Sequence, residues 1–343
     1  MTSSRRAGDE ATPELVYVDN ENITDPRANL AIEEYVLRYF DPRYTYVLFY
    51  VNEPSLIIGR NQDTVDVINL PYVLDRRIHV IRRLSGGGTV YHDAGNLNFS
   101  FITDYRPDRL NNFRFFTEPV VRVLQSMGVA AQLQGRNDLV VNGRKISGNA
   151  QFATGRRMFS HGTLLFNSDL EEFVHALRIK HDKIQSKGHQ SVRDRVANIA
   201  EYAEREVDVP TLREKLLEGI FAETGIRRYR LSAQDWSGVR EIVEQRYGRA
   251  EWNFGAQPRF NQQRAKRFAF GEIDARLEVR KGHIEQVRLL GDYLDAEGAR
   301  RIERALHGVV YDPEVLQKAL RGLDWRTSFP GLFANDLLGL LTP

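Results

Sequence analysis

Apolar and polar positions along the chain change period several times, and each change marks an element. Leu15 to Val18 alternates as a short strand does. Asp25-Pro26 then opens a helix: the aspartate suits an N-cap, and Leu30, Ile32, Val36, Leu37 and Phe40 supply the apolar face. Strand-like runs rich in β-branched and aromatic residues follow at 44–51 (YTYVLFYV), 55–59 (SLIIG), 79–84 (HVIRRL), 89–92 (TVYH) and 96–102 (NLNFSFI). Several lie too close together for a helix between them, so antiparallel pairing should dominate. Phe115 to Met127 reads as a helix closed by Gly128. Asn142-Gly143, between DLVV and RKISG, is a two-residue hairpin turn because both residues accept positive φ. That turn places Lys145 at the start of a returning strand. MFSHGTLLF (158–166) is a further strand and leads into a helix around Leu170 to Leu177.

From Ile179 to Val196 the sequence IKHDKIQSKGHQSVRDRV is polar with little periodicity and reads as a mobile loop. Helices follow at about 211–223 and 235–247. EWNFGAQPRF (251–260) looks like a linker. Beyond it, RFAFGEIDARLEVR and HIEQVRLL flank Lys281-Gly282 as a hairpin, with two short helices up to Gly322. The expected organisation is a disordered tail (1–13), an α+β unit of catalytic size (14–250), a linker (251–260) and a small α/β accessory unit (261–343). The fold class is α+β, with largely antiparallel or mixed sheets and packed helices.

A chain of 343 residues suits about two domains. No apolar run is long enough to span a bilayer, and the first residues lack the apolar segment of a secretory signal. A cytoplasmic protein with no membrane association is expected. Zero cysteines exclude disulfides, thiolate metal sites and cysteine nucleophiles. A net charge of +2 argues against a nucleic-acid partner. Of the 48 basic residues 40 are arginine, and the first lysine is Lys145.

That asymmetry sharpens two segments. In RRLSGGGTVYHDAGN (82–96), three glycines let backbone N–H groups come close to an anion, although a flexible turn would look the same. Neither a P-loop nor a G-x-G-x-x-G pattern is present, since Tyr91 stands where the third glycine belongs. Arg82 and Arg83 immediately upstream suit a phosphate or a carboxylate. In GRNDLVVNGRKISGNAQ (135–151), a chain that otherwise prefers arginine spends a lysine, and a compact ammonium can bridge two oxyanions where a guanidinium needs a wider slot. Asp138, one hairpin away, is either a strand-end residue or a ligand for Mg²⁺ or an amine. No H-x-H, H-E-x-x-H or G-x-S-x-G pattern supports a zinc site or a serine hydrolase.

Taken in order, RRLSGGGTVYHDAGN, GRNDLVVNGRKISGNAQ, HGTLLFNSDL, SKGHQSVRDRV and EWNFG resemble a lipoate-protein ligase, over about Asn29 to Gly255, with a tail similar to the family's accessory domain. The resemblance implies a catalytic fold shared with biotin-protein ligases and class II aminoacyl-tRNA synthetases. It implies lipoate, ATP and Mg²⁺ as substrates and cofactor, and a monomer. The acceptors would be lipoyl domains of 2-oxoacid dehydrogenase E2 subunits or the glycine-cleavage H protein. Gly86, Gly87, Gly88, Thr89, Val90 and Tyr91 would form the nucleotide-binding turn, with Arg83 neutralising phosphate. Lys145 would be the catalytic lysine, contacting both the lipoyl carboxyl group and the α-phosphate. Asn137 and Asp138 would lie near the adenylate and metal, with Asp138 the Mg²⁺ ligand. Arg60, Arg83, His92, Lys145, Ser147, Gly148, His161, Gly162 and Thr163 would bind lipoate, Arg60 at the entrance. The 179–196 loop, with Lys180, Lys183 and Lys187, would close over the adenylate. Two positions depart from the family pattern: Ser160 precedes His161 where a second histidine is usual, and Asp63 follows GRNQ where asparagine is frequent. A lipoyl amidotransferase or a lipoyl-adenylate carrier is the alternative within the resemblance. The lack of cysteine argues against an octanoyltransferase, and the lack of G-R-G-R against a biotin ligase.

Overall fold

The computed structural model describes residues 14–178, 195–203, 207–255, 260–293, 295–325 and 328–342. The tail 1–13, residues 179–194 with Lys180, Lys183 and Lys187, and residues 256–259 of the expected linker lie outside them. In chain order the strands are β1 (Leu15–Asp19), β2 (Thr45–Tyr50), β3 (Ser55–Ile58), β4 (His79–Arg82), β5 (Val90–His92), β6 (Asn96–Asp104), β7 (Gln132–Gln134), β8 (Asp138–Val141), β9 (Arg144–Ala153), β10 (Arg157–Leu165), β11 (Arg228–Arg230), β12 (Gln262–Phe268), β13 (Gly271–Arg280) and β14 (His283–Gly291).

Eight of them form one sheet in the order β11-β1-β2-β6-β10-β9-β8-β7. Strand alternation splits its side chains between two cores. Tyr17, Val47, Phe49, Phe99 and Phe101 point to one face, under helices Phe113–Ser126 and Val209–Ile220. Val16, Val18, Tyr46, Leu48 and Tyr50 point to the other, under helices Pro26–Tyr39 and Ala233–Ile242. A sheet covered on both faces needs strands apolar on both faces, which is why TYVLFY reads as an unbroken run. Each such Leu, Val or Phe contributes about 1.5–3 kcal/mol when fully buried. Pairing is antiparallel from β2 to β7, as expected, but β1 lies parallel to both β2 and β11. A second sheet, β4-β3-β5, has one parallel and one antiparallel pair and carries the glycine segment between β4 and β5.

Asp25 caps the first helix, its side chain accepting from Arg27 N, with Pro26 in the first turn. The Asn142-Gly143 turn has φ of 51° and 76°, both left-handed, as its composition requires. The C-terminal unit is a three-stranded antiparallel sheet, β12-β13-β14, whose core includes Leu277, Leu289, Ile302 and Phe329. It differs from expectation in two ways. The run RFAFGEIDARLEVR is broken by a turn at 269–270 into the end of β12 and all of β13, and a further helix, Ala334–Leu341, follows Gly322. Among the described residues, no helix is long and apolar enough to cross a membrane.

Candidate active site

The glycine segment is held from within by an arginine. Arg83 leaves the end of β4 buried, and its guanidinium donates to the carbonyls of Ile57 (2.9 Å), Gly86 (2.6 Å) and Gly88 (2.8 Å), while its Nε–H donates to Ser85 Oγ (3.0 Å). Burial pulls its pKa down to about 10, which still leaves it charged near neutrality. Gly87 sits at φ 93°, where a side chain is strained. A Cβ on Gly59 would lie 1.8 Å from the Gly87 carbonyl oxygen, so two glycines are needed for β3 and the loop to pass each other. The Gly87 N–H donates to the Tyr293 carbonyl of the C-terminal unit at 3.0 Å.

The hairpin at Asn142-Gly143 delivers Lys145. A register shift between Leu139 and Val140 places an extra residue on β9, so Ile146 enters the core while Lys145 keeps its amine at the cavity side. Its backbone is clamped by the chain returning at 195–197: Lys145 N donates to Arg195 O at 2.8 Å, and Ala197 N to Lys145 O at 2.9 Å. Its Nζ lies 2.8 Å from Asp138 Oδ1. A Cβ on Gly148 would lie 2.9 Å from that Nζ, so this glycine makes the space for the amine.

Two cavities meet at Lys145. The smaller, about 110 Å³, is lined by apolar Leu30, Ile57, Val90 and Ala150 and by Tyr50, His92, Asn98 and His161. Arg83, Gly87, Gly88, Asn137, Gly148 and Gly162 also reach it. The larger, about 570 Å³, is bounded by Tyr91, Gly135, Asp138, Ser168, Phe173, Arg195 and Arg267. Thr89, Val90, Lys145 and Thr163 line both. A narrow slot and a wide cleft sharing one ammonium can hold an acyl chain and a nucleotide with their reacting anions at a common cation. Among the described residues, no group of three or more histidines and carboxylates could hold a metal alone. The single carboxylate of Asp138 does suit Mg²⁺ brought by nucleotide phosphates, because that ion takes few protein ligands.

Several expected residues stand elsewhere. Arg60 lines neither of these cavities: it follows β3 into a separate cleft of about 400 Å³, with its guanidinium 4.4 Å from the Trp252 ring centroid. The indole face is a favourable partner for that cation. Ser147 is fully buried and lines neither cavity; its Oγ accepts from Asn149 Nδ2 at 3.2 Å. Gly86 is buried behind the loop, with its carbonyl on Arg83. Arg83 lines the smaller cavity and not the larger, and the bonds above hold its guanidinium against the glycine loop. Asp63 serves the junction of the two units: Oδ1 accepts from Val65 N (3.1 Å) at a helix start and Oδ2 accepts from Arg276 of β13 (2.6 Å).

Sequence reasoning assigned Glu33 no role, and Ser85 none beyond its place in the glycine segment. His161 Nδ1 lies 2.9 Å from Glu33 Oε1, and Nε2 lies 2.7 Å from Ser85 Oγ. Glu33 is three residues after Leu30 and four before Leu37, on the apolar face of its helix, and a carboxylate there was the available signal. Arg267, from the accessory unit, had no such signal.

A family model described as the lipoyl protein ligase A/B catalytic domain matches residues 25–221, and one described as the bacterial lipoate protein ligase C-terminus matches residues 257–341. The chain is 48% identical over 330 residues to lipoate-protein ligase LplJ of Bacillus subtilis, covering 95% of this chain and all of the relative. It also resembles a bipartite lipoate protein ligase of Thermoplasma acidophilum, solved in an archaeal lipoylation system with its E2 lipoyl domain. That match has 29% identity and a TM-score of 0.64, over 73% of this chain and all of that one. A lipoate-protein ligase A solved with bound ATP matches at 28% identity and a TM-score of 0.59, over 71% of this chain and 98% of the other. With its two units matched in order, this chain belongs to the lipoate-protein ligase family.

Proposed function

We propose that the chain joins lipoate to protein lysines in two steps driven by ATP. In the first, a lipoate carboxylate oxygen attacks the α-phosphorus of ATP, the bond to the bridging oxygen breaks, and pyrophosphate leaves. In the second, the neutral ε-amine of an acceptor lysine attacks the acyl carbon of lipoyl-AMP, AMP departs with the bonding pair, and the nitrogen loses a proton to solvent. The observation that carries this reading is the single amine of Lys145 at the meeting of a narrow slot and a wide cleft.

Two anions approach each other in the first step, and a fixed ammonium between them offsets their repulsion and the charge growing on the phosphoryl oxygens. Asp138 keeps that ammonium in place at 2.8 Å before substrates arrive. The same carboxylate would hold Mg²⁺ together with the nucleotide phosphates, and the ion would supply further charge neutralisation there. Thr89, Val90 and Thr163, shared by both cavities, would pack around the mixed anhydride. Tyr91 and Gly88 would border the nucleotide. The acceptors would be lipoyl domains of 2-oxoacid dehydrogenase E2 subunits or the glycine-cleavage H protein.

The test is the intact mass of an apo lipoyl domain incubated with the protein, lipoate and MgATP. One lipoyl increment per acceptor, dependent on ATP and reduced at least about a hundredfold in rate by Lys145→Ala, is the expected result. An acceptor that stays unmodified while the protein binds both ATP and lipoate would overturn the reading.

A further inference from the structure

Two histidines line the acyl slot, and they are held in opposite ways. His161 has both ring nitrogens engaged, by Glu33 and Ser85. His92 has one. Asn52 Nδ2 donates to His92 Nδ1 at 2.9 Å, Asn29 Nδ2 donates to Asn52 Oδ1 at 2.8 Å, and Asn20 Nδ2 donates to Asn29 Oδ1 at 2.9 Å. All four residues are buried. The direction of this relay is set at its far end, where Asn20 Nδ2 and Asn29 Nδ2 both also donate to the Ile23 carbonyl, which can only accept. Asn52 must therefore turn its oxygen to Asn29 and its NH₂ to the ring. Nδ1 is then an acceptor, and the neutral imidazole carries its proton on Nε2. That nitrogen has no hydrogen-bond partner among the described residues, in a side chain only 3% exposed.

An unpaired buried donor is costly, and three aligned asparagines make this one obligatory. Asn52 does not line the slot whereas the His92 ring does, so Nε2–H is the edge left for a ligand. Leu30, Ile57, Val90 and Ala150 around the slot carry no acceptor, and none of the polar side chains that also line it, Tyr50, Asn98, Asn137, Asn149 and Thr163 among them, bonds to it. Lys145 claims the carboxyl end of the acid at the junction of the two cavities, whereas His92 lines the inner slot alone. Beyond its carboxyl group, a lipoyl chain has acceptors only at the two dithiolane sulfurs, and a saturated acyl chain has none. We propose that His92 Nε2–H donates to a dithiolane sulfur of bound lipoate, and that the Asn20-Asn29-Asn52 relay thereby makes the slot select lipoate over octanoate. This rests on the lipoate-activating reading above.

The test compares three acids by kcat/KM for pyrophosphate release: lipoate, octanoate, and 5-cyclopentylpentanoate, which keeps the ring but replaces both sulfurs with methylenes. The carbocycle is the more apolar ring, so burial alone would favour it. The wild-type protein should instead prefer lipoate over it by about threefold to tenfold, the range of one modest hydrogen bond. His92→Phe should erase that preference, and His92→Gln, which restores an N–H near the Nε2 position, should recover part of it. Equal use of lipoate and the carbocycle by the wild-type protein overturns the proposal, even if neither variant folds. So does a His92→Phe variant that loses all three acids in equal proportion, which would assign His92 to the wall or the carboxyl end. A wild-type protein that activates none of the acids is a separate result and removes the lipoate-activating reading itself.

Discussion

At Lys145 the position of the charge matters more than its sign. Asp138 takes the Nζ at 2.8 Å where the two cavities meet, and a longer, planar guanidinium would carry its charge to a different point. Lys145→Arg should therefore keep the charge and the fold but lower the first-step rate about a hundredfold or more, with little change in thermal midpoint. Single-turnover adenylate formation beside a melting curve checks this, and near-normal turnover in the variant would show that charge alone suffices. His92 makes a different residue-scale prediction. Burial, with Arg83 and His161 adding to it, lowers its pKa from 6.5 to about 3. Between those values the unfolded chain binds a proton that the folded protein refuses. Its contribution to stability is therefore complete above about pH 6.5 and is lost as pH falls towards 3, by roughly 1.4 kcal/mol per pH unit. Denaturant unfolding at pH 7.5 and pH 5 should show the wild type losing about 2 kcal/mol more than His92→Phe. Parallel losses in the two proteins would mean that His92 is accessible to protons in the fold.

At the scale of elements, the site depends on how closely β3 passes the glycine loop. Gly59→Ala places a methyl group against the Gly87 carbonyl, and backbone cannot yield there as a side-chain tip can. The loop should shift, with loss of both acyl and nucleotide binding by calorimetric titration while the eight-stranded sheet keeps its far-ultraviolet signal. Unchanged affinities would show that the loop tolerates the displacement. The sequence displayed local features well, because they are carried by a few adjacent residues: Asn142-Gly143 needs positive φ at both positions, and Asp25-Pro26 is a helix start of familiar chemistry. Runs rich in β-branched and aromatic residues likewise marked β2 and β6, and MFSHGTLLF marked β10. Pairings between distant segments were not legible, since β1 meets β11 some two hundred residues downstream and β11 is three exposed residues with no apolar period. For the site, the motifs brought Lys145, Asp138, Thr89 and Thr163 to the same pair of cavities. Arg60 shows the limit: its place in the chain was clear, but the side it faces was decided by Trp252, far away in sequence.

Across the whole molecule, the accessory unit is fastened to the part of the catalytic unit that carries the glycine loop. Tyr293 O accepts from Gly87 N (3.0 Å) and from Asn61 Nδ2 (3.2 Å), and Gly291 N donates to Asn61 O (2.9 Å). Beside these contacts Arg276 of β13 reaches Asp63 (2.6 Å), Asp66 and Asp274 (2.8 Å). Burial alone would lower the pKa of that guanidinium, but the hydrogen bond to Asp274 and the charges of Asp274, Asp63 and Asp66 raise it above the usual arginine value. One cation thus answers three carboxylates drawn from both units. Replacing it leaves those carboxylates facing one another, and breaking a buried pair in this way costs about 3 kcal/mol or more. If this cluster is what keeps the units together, Arg276→Met should loosen the junction without unfolding either core, because Phe99 and Ile302 pack within separate clusters. Amide hydrogen exchange separates these cases. Gly87 and Gly291, whose N–H groups bond across the junction, should exchange about a hundredfold faster in the variant, the equivalent of roughly 3 kcal/mol. The Phe99 and Ile302 amides should keep their protection. Unchanged exchange at the two glycines would transfer the fastening to the Tyr293 and Asn61 backbone contacts, and loss of protection at all four would make the two units a single cooperative fold.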